Sequence, residues 1–313
     1  MPRSGTTWIG KIFDSHPDTL YRHEPDSRGA LKGIPLVASV ADAERYREEI
    51  AEFVDALPRL NTPRAAASLP MFSKGYQSPA QLLVKKFSAF ATKAAEPLIR
   101  DLPVMDLVRY DKVANLRVVW KSIESLGRLG IVLRAVPDCR AVHILRHPCG
   151  YVASVLSGET TRHFSSKTAS SEDYPVYEML LAVSENNKRN LQLDDLKRME
   201  PVERLAWRWV LFNEIALAGS KGYENCTLLR YEDLCNEPLH KAQELLRFAG
   251  LNWHSQVEDF VNRSTSQTSE HYYSVFKDPA DSSTKWQHEL SAGQIEAIMR
   301  VIHESCLAAQ YPG

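Results

Sequence analysis

The sequence lacks any run of about eighteen or more apolar residues, the length that a membrane-spanning helix needs. Its beginning also lacks the basic start, apolar core and cleavage site of a signal peptide. We therefore expect no membrane segment in this chain. A cytoplasmic location is the simplest expectation, on the condition that no targeting or anchor segment has been lost ahead of Met1.

Cysteine is scarce, and its spacing fits neither a metal site nor a disulfide framework. The five cysteines are odd in number, which favours free thiols in a reducing compartment. They are Cys139, Cys149, Cys226, Cys235 and Cys306. We expect no metal ion.

The chain has no excess of either charge, with 38 basic and 39 acidic residues and a net charge of -1. This balance gives no reason to expect a nucleic-acid partner. The 313 residues are 44% hydrophobic and 25% charged, which is typical of a soluble globular protein. We interpret the whole of residues 1–313 as one large domain.

Short apolar runs alternate with segments of helical periodicity. The runs that predict buried strands lie at residues 18–23, 116–121, 140–145 and 226–230. The main helices are predicted at residues 6–15, 122–136, 148–156, 202–218, 239–248 and 291–309. The alternation predicts an α/β fold, with a parallel sheet of about five strands and helices on both faces, similar to P-loop nucleotide kinases.

Two regions do not follow this alternation. Residues 30–115 are expected to form an inserted helical region, with helices at 40–60, at 79–95 and near 97–110. Residues 159–200, which begin with a stretch rich in serine, threonine and charge, are expected to be a variable loop and helix region.

The first residues predict a loop that binds an anion at the start of a helix. They read Pro2-Arg3-Ser4-Gly5-Thr6-Thr7-Trp8. Gly5 lets the backbone approach an anion closely, and the N–H groups of the next helical turn point toward it. Arg3 can fork onto phosphate or sulfate oxygens, and the threonines add hydroxyl donors. The loop lacks the lysine of a nucleotide triphosphatase, and a simple capped turn is the alternative.

A second candidate pair is Arg146, directly after the strand at 140–145, and Ser154, about two helical turns further on. The strand delivers Arg146 to the carboxyl edge of the sheet, where ligands bind in open α/β folds. Both side chains could therefore reach one phosphate. Taken alone, Arg146 could equally be a surface ion-pair residue.

Together these two motifs resemble the sulfotransferases that use 3′-phosphoadenosine-5′-phosphosulfate (PAPS). Residues 2–8 match that family's loop for the 5′-phosphosulfate, and Arg146 with Ser154 match its pair for the 3′-phosphate. The resemblance implies that PAPS is the co-substrate. It also implies that Arg3 contacts the transferring sulfuryl group and the leaving phosphate.

Three further residues gain roles from this resemblance. Trp8 matches an aromatic residue that stacks on adenine, and a buried helix tryptophan is the alternative. Tyr231, in Tyr-Glu-Asp after the strand at 226–230, matches a tyrosine near adenine. Lys285, followed by Trp286, resembles the C-terminal segment that closes over the nucleotide.

Glu24 decides the subclass. The segment Tyr21-Arg22-His23-Glu24-Pro25 resembles that of carbohydrate sulfotransferases, in which a glutamate is the general base. Phenol and steroid sulfotransferases use a histidine from the middle of the chain, and here no histidine lies between His23 and His143. We assign the base to Glu24, with His23 as the rival. The alternative is a surface pair of Glu24 with Arg22 or Arg28.

The predicted reaction is sulfuryl transfer from PAPS to an acceptor hydroxyl, on a small molecule or a glycan. Arg3 is expected near Glu24, where it would keep the carboxylate ionised. Lys121, at the end of its strand, could bind donor or acceptor. The alternatives are a phosphotransferase on the same fold, which would need a loop lysine, and a non-catalytic nucleotide-binding protein, which would not need Glu24.

No strand precedes the phosphate loop, although such loops normally follow a buried strand. An absent central strand would leave the N–H and C=O groups of its neighbours unpaired. We therefore expect the natural chain to start upstream of Met1, with an added strand rich in Val, Ile or Phe.

Overall fold

Four short strands form the centre of the computed structural model of this chain. The structure describes residues 1–27, 30–96, 98–99, 102–160, 168–184, 190–266 and 279–311. The strands are β1 (Thr19–His23), β2 (Arg117–Lys121), β3 (Ala141–Leu145) and β4 (Cys226–Arg230). β1 pairs with β2 and β3 pairs with β4, both in parallel. Each predicted strand is confirmed to within one residue at its start.

Helices follow and surround these strands. In chain order they are α1 (Thr6–Asp14), α2 (Ala43–Ala56), α3 (Pro63–Ala66), α4 (Pro79–Ala95), α5 (Leu129–Ala135), α6 (Pro148–Thr160), α7 (Tyr174–Val183), α8 (Leu193–Arg198), α9 (Pro201–Ser220), α10 (Tyr231–Asn236), α11 (Pro238–Phe248), α12 (Ser255–Ser266), α13 (Pro279–Thr284), α14 (Trp286–Glu289) and α15 (Ala292–His303). No helix in the described residues is both long and apolar enough to cross a membrane.

Helices cover both faces of the strands, as the alternation of side chains along each strand requires. In β2, Val119 packs into the cluster that contains α1 and α12, whereas Trp120 packs against α2 and α5. In β3, Ile144 joins the α1 cluster, whereas Leu145 joins the core built on α9. The predicted α/β fold with helices on both faces is therefore confirmed.

The strands form two pairs, β1-β2 and β3-β4, and no strand in the described residues joins them. The described residues thus hold four strands, one fewer than the sheet of about five that we expected. Met1 is buried beside the second pair, where its sulfur accepts a hydrogen bond from Asn213, which in turn contacts His143 of β3. An added strand ahead of the loop remains a prediction.

Three predicted helices differ from those observed. The helix predicted near 97–110 is wrong for its described residues: residues 102–109 run beside α4, and the backbone N–H of Met105 donates to Ser88 Oγ at 2.7 Å. Pro103 cannot donate a helical hydrogen bond there. The helix predicted at 122–136 becomes a 3₁₀ turn, Ser125–Arg128, followed by α5. The last helix ends at His303 rather than 309.

A buried ion cluster fastens the inserted region to α1. Lys11 Nζ lies 2.7 Å from Asp14 Oδ2, and Lys74 Nζ lies 3.1 Å from Asp14 Oδ1. Lys11 also donates to the carbonyls of Ser68 and Pro70. Burial alone would raise the pKa of Asp14, but the two lysines outweigh it and lower the pKa.

We expect Asp14→Ala to lower the free energy of unfolding by about 3–5 kcal/mol, because it leaves two buried lysines without their carboxylate. The contribution of Asp14 is complete above about pH 4 and is lost as the pH falls through its lowered pKa. Urea denaturation at neutral and acidic pH measures both effects. Glu44→Ala, which breaks an exposed pair with Arg47, is the control and should change little. A loss as small as that of the control would contradict the role of the cluster.

Candidate active site

Gly5 shapes the loop at the start of α1 by its backbone and by its missing side chain. Its φ of 74° lies in the left-handed region, and an added Cβ would stand 2.3 Å from the Tyr231 ring. The N–H groups of Trp8 and Ile9 donate to the Gly5 carbonyl and begin the helix. No acidic residue lies in the first turn, so this N-terminus favours an anion.

The other loop residues differ in their accessibility. Ser4 and Thr6 are buried, whereas Arg3 and Thr7 are half-buried. An anion at the start of α1 would therefore meet Gly5, Thr7 and the neighbouring backbone before it met the hydroxyls of Ser4 or Thr6.

Arg146 and Ser154, predicted as a pair, both reach the loop. Arg3 Nε donates to Ser154 Oγ at 2.9 Å, and Arg146 Nη1 donates to the Arg3 carbonyl at 2.7 Å. Arg146 follows the last residue of β3 and Ser154 lies in α6, as the pattern required. Arg146 Nε is buried and has no hydrogen-bond partner in the described residues.

Tyr231 lies against the same group of residues. It is the first residue of α10, and its ring centre is 5.2 Å from the Arg146 guanidinium. Trp8 meets the Tyr231 ring edge-on at 6.3 Å, and its indole N–H donates to Ser264 at 2.9 Å. Both rings are buried, with 8% exposure each. These are the contacts of a core tryptophan, and the adenine-stacking role of Trp8 remains a prediction.

The C-terminal segment contacts Arg146 through its backbone. The Ser282 carbonyl accepts from Arg146 Nη2 at 2.9 Å. The Trp286 ring stacks on His147 at 4.4 Å, with an interplanar angle of 9°. Lys285 points to solvent, with 59% of its side chain exposed and its Nζ 3.0 Å from Glu289. The C-terminal segment thus contacts Arg146, one of the two residues predicted to bind the 3′-phosphate, through Ser282. Lys285 itself forms no described contact with Arg146.

Glu24 lies just beyond the end of β1, with a φ of 48°. Its carboxylate pairs with Lys121 on one oxygen and with Arg64 Nη1, at 2.7 Å, on the other. Its side chain is only 11% exposed. Lys121 is the last residue of β2, and its backbone carbonyl accepts a hydrogen bond from the Glu24 backbone N–H. The parallel pairing of β1 with β2 therefore places Glu24 beside Lys121.

The predicted alternative, in which Glu24 forms a surface pair with Arg22, is wrong. Arg22 is buried and donates to the carbonyls of Leu57 and Pro58. Arg28 lies outside the described residues. The cations that pair with Glu24 are Lys121 and Arg64, whereas the sequence suggested Arg3.

At neutral pH, Glu24 is a carboxylate and His23 is neutral. Burial alone would raise the pKa of Glu24, but the charges of Lys121 and Arg64 outweigh burial and lower it. Burial and the neighbouring Lys121 lower the pKa of His23 to about 3, although Glu24 opposes them. His23 Nδ1 lies 2.9 Å from the Tyr21 hydroxyl, and its Nε2 lies 3.7 Å from Glu24. Both residues are thus in a form that can accept a proton.

Two residues of this site were not predicted from the sequence, Arg64 and Asp26. Arg64 lies in the inserted region and belongs to no motif, so no signal could have identified it. Asp26 is 1% exposed and accepts hydrogen bonds from Ser122 and Ser125, while its Oδ1 has no partner in the described residues. The position of Asp26, two residues after Glu24, was an available signal.

In the part of the chain that the structure describes, no three His, Cys, Asp or Glu side chains are grouped closely enough to hold a metal ion. The five cysteines all lie in the described residues, and none of them forms a disulfide bond.

Comparison with known proteins places the chain in a family. The model of the Sulfotransferase family matches residues 1–255. Carbohydrate sulfotransferase 1 of Danio rerio is 34% identical over 92% of this chain and 71% of that protein. Carbohydrate sulfotransferase 1 of Mus musculus is 33% identical over 92% of this chain and 72% of its own length.

Among solved structures, the sulfotransferase domain from the curacin biosynthetic pathway is similar over 97% of this chain and 94% of that chain, with 13% identity and a TM-score of 0.46. The match to the family over most of the chain, together with the identity to relatives over nearly all of it, shows that the chain belongs to the Sulfotransferase family.

Proposed function

We propose that this sulfotransferase transfers the sulfuryl group of PAPS to a hydroxyl group of a carbohydrate, alone or within a glycoconjugate. The carbohydrate acceptor is suggested by the names of the relatives and by the Glu-Pro segment after β1. The observation that carries the proposal is the contact of Arg3 with both Arg146 and Ser154, because it brings two separate anion motifs together at the start of α1.

The donor occupies this junction. The 5′-phosphosulfate lies at the N-terminus of α1, where Gly5, Thr6 and Thr7 offer backbone N–H groups and Ser4 supports the turn. Arg146 and Ser154 bind the 3′-phosphate, and the unpartnered Nε of Arg146 offers one donor for it. Tyr231, Trp8 and Lys285 complete the nucleotide site in the roles that the family resemblance implies.

The reaction is an in-line displacement at sulfur. The acceptor oxygen forms a bond to sulfur while the bond between sulfur and the 5′-phosphate oxygen breaks. Glu24 takes the proton of the acceptor hydroxyl, and the products are the sulfated acceptor and adenosine 3′,5′-bisphosphate. Arg3 and the loop N–H groups stabilise the charge that develops on the sulfuryl oxygens and the leaving phosphate.

The two cations that pair with Glu24, Lys121 and Arg64, keep its carboxylate in the ionised form that a general base needs. A carboxylate with a lowered pKa is ionised at neutral pH, so it needs no prior deprotonation there. The same cations weaken it as a base. Arg64 is 38% exposed, whereas Lys121 is 6% exposed, so Arg64 is the partner that an entering acceptor can displace. Losing that cation as the acceptor binds raises the pKa of Glu24 when the proton must move.

A phosphotransferase on this fold would need a loop lysine that the sequence lacks, and a non-catalytic protein would not need Glu24. Membership of the family favours the transferase over both.

We expect Glu24→Gln to lower the transfer rate by roughly 10²–10⁴-fold, because it keeps the shape and removes the base. Binding of adenosine 3′,5′-bisphosphate should persist, and calorimetry checks it. The companion variant His23→Asn tests the rival base. Near-normal turnover of Glu24→Gln with a large loss in His23→Asn would move the role to His23.

Arg146→Ala should weaken binding of adenosine 3′,5′-bisphosphate by at least about tenfold relative to adenosine 5′-phosphate, since a phosphate loses a charged hydrogen bond. Calorimetric titration of both nucleotides measures the difference. Arg47→Ala, which removes an exposed arginine of α2, is the control. Equal losses for the two nucleotides would show that Arg146 does not bind the 3′-phosphate.

Arg64→Gln should move the acid limb of the transfer rate to higher pH. Removing one cation raises the pKa of Glu24, so its ionised form is lost at a less acidic pH. Profiles of kcat/KM against pH measure the shift, with Arg198→Gln, an exposed arginine of α8, as the control. An unmoved acid limb would exclude this coupling between Arg64 and the base.

A further inference from the structure

One peptide bond beside the candidate donor site is held at both of its polar groups. It joins Arg146 to His147, where the chain passes from β3 into α6. The Arg146 carbonyl accepts a hydrogen bond from Trp209 Nε1 at 3.0 Å, and the His147 N–H donates to Glu232 Oε1 at 2.8 Å. Because a peptide unit is planar, it cannot turn without losing one of these two hydrogen bonds.

Tyr311 contacts both of the residues that hold this peptide. Its hydroxyl donates to Glu232 Oε2 at 3.0 Å, and its ring meets the Trp209 ring edge-on at 6.0 Å. Tyr311 is 3% exposed and Trp209 is 0% exposed. Burial and the neighbouring Glu232 raise the pKa of Tyr311, so its hydroxyl stays protonated and donates to the carboxylate. The two oxygens of Glu232 thus link Tyr311 to the His147 N–H.

The side chain of His147 is fixed as well. Its ring stacks on Trp286 at 4.4 Å and meets the Tyr311 ring edge-on at 4.9 Å. Its Nδ1 accepts a hydrogen bond from the Cys149 backbone N–H at 3.2 Å. The residue that follows Arg146 is therefore held through its side chain and its backbone together.

The orientation of the Arg146 side chain depends on this fixed backbone. Its guanidinium donates to the Arg3 carbonyl at 2.7 Å and to the Ser282 carbonyl at 2.9 Å. Its buried Nε has no hydrogen-bond partner among the described residues, and a buried donor of this kind favours an acceptor oxygen from a ligand. A turn of the Arg146–His147 peptide would move this donor away from such an oxygen.

We propose that Tyr311 and Glu232 are positioning residues for the 3′-phosphate, because they hold the peptide after Arg146 and, through it, the guanidinium in the orientation that binds this phosphate. The inference rests on the proposed function, which makes the 3′-phosphate of the donor the ligand of Arg146. Both residues act through Arg146 rather than on the phosphate itself. Glu232 belongs to the Tyr-Glu-Asp segment, whereas Tyr311 lies near the end of the sequence and belongs to no motif.

The experiment is calorimetric titration of the full chain with adenosine 3′,5′-bisphosphate and with adenosine 5′-phosphate. The ratio of the two affinities measures the contribution of the 3′-phosphate. Tyr311→Phe keeps the ring and removes the hydroxyl, and it should lower this ratio by roughly three- to tenfold, because Glu232 loses a hydrogen-bond donor. A general loss of stability would weaken both nucleotides alike and leave the ratio unchanged.

Tyr177→Phe is the matched control. Tyr177 of α7 is also buried, and its hydroxyl donates to the carbonyl of Arg204, in α9, at 2.9 Å. This variant therefore loses a hydrogen bond of similar length away from Glu232. The affinity ratio of Tyr177→Phe should equal that of the parent protein.

Two variants of Glu232 test its part in the contact. Glu232→Gln keeps an oxygen for the His147 N–H and should keep most of the ratio, whereas Glu232→Leu removes both acceptors and should lower the ratio at least as much as Tyr311→Phe. If Tyr311 acts through Glu232, adding Tyr311→Phe to Glu232→Leu causes little further loss. Circular dichroism verifies that each variant is folded.

Two outcomes would overturn the positioning role alone. In the first, the parent protein prefers the 3′-phosphorylated nucleotide and Tyr311→Phe keeps that preference in full. In the second, the losses of Tyr311→Phe and Glu232→Leu add up in the double variant. A parent protein that binds the two nucleotides equally would instead overturn the donor site that we propose, and the positioning role with it.

Discussion

The guanidinium of Arg146 joins three parts of the chain that are far apart in sequence. One nitrogen holds the Arg3 carbonyl of the loop, a second holds the Ser282 carbonyl of the C-terminal segment, and the group lies over the ring of Tyr231. Arginine can do this because its donors have a fixed planar geometry and it stays charged. The start of α1, the end of β3 and the start of α10 therefore take up positions around one cation. An anion that binds there meets a site whose parts are already in contact.

Two carboxylates in this protein each have two cationic partners, and burial of the cations separates their roles. Lys11 and Lys74, which flank Asp14, are 0% and 9% exposed. Neither lysine is as exposed as Arg64, and the cluster serves to fasten residues 68–74 to α1. Around Glu24, Lys121 is equally buried, but Arg64 is 38% exposed. One side of the Glu24 carboxylate thus depends on a partly exposed arginine, which suits the general-base role that we propose for Glu24.

The parts that could be predicted from sequence are those set by short-range patterns. The four strands were found because buried parallel strands are continuous apolar runs, and Arg146 could be placed at a ligand-binding edge because it follows the end of β3. Arg64 and Ser282 could not be predicted. Arg64 comes from an insertion without a motif, and Ser282 acts through its carbonyl, which every residue has. The helix expected near 97–110 failed because tertiary contacts with Ser88 and Gln81 outweigh its local periodicity.

The inserted region takes part in the candidate site, because it supplies Arg64, a partner of Glu24. Ala66 and Ala67, at the end of α3, pack on Ala89 of α4, so α4 supports the short helix that carries Arg64. The proposed donor contacts, by contrast, lie outside the inserted region, in the loop before α1, directly after β3 and in α6. We infer that a fold divided in this way keeps the proposed donor contacts constant while changes in the insertion alter which hydroxyl reaches Glu24. Under the function that we propose, acceptor choice depends on the part of the chain that carries no recognisable motif, which is why the sequence alone leaves the acceptor unspecified.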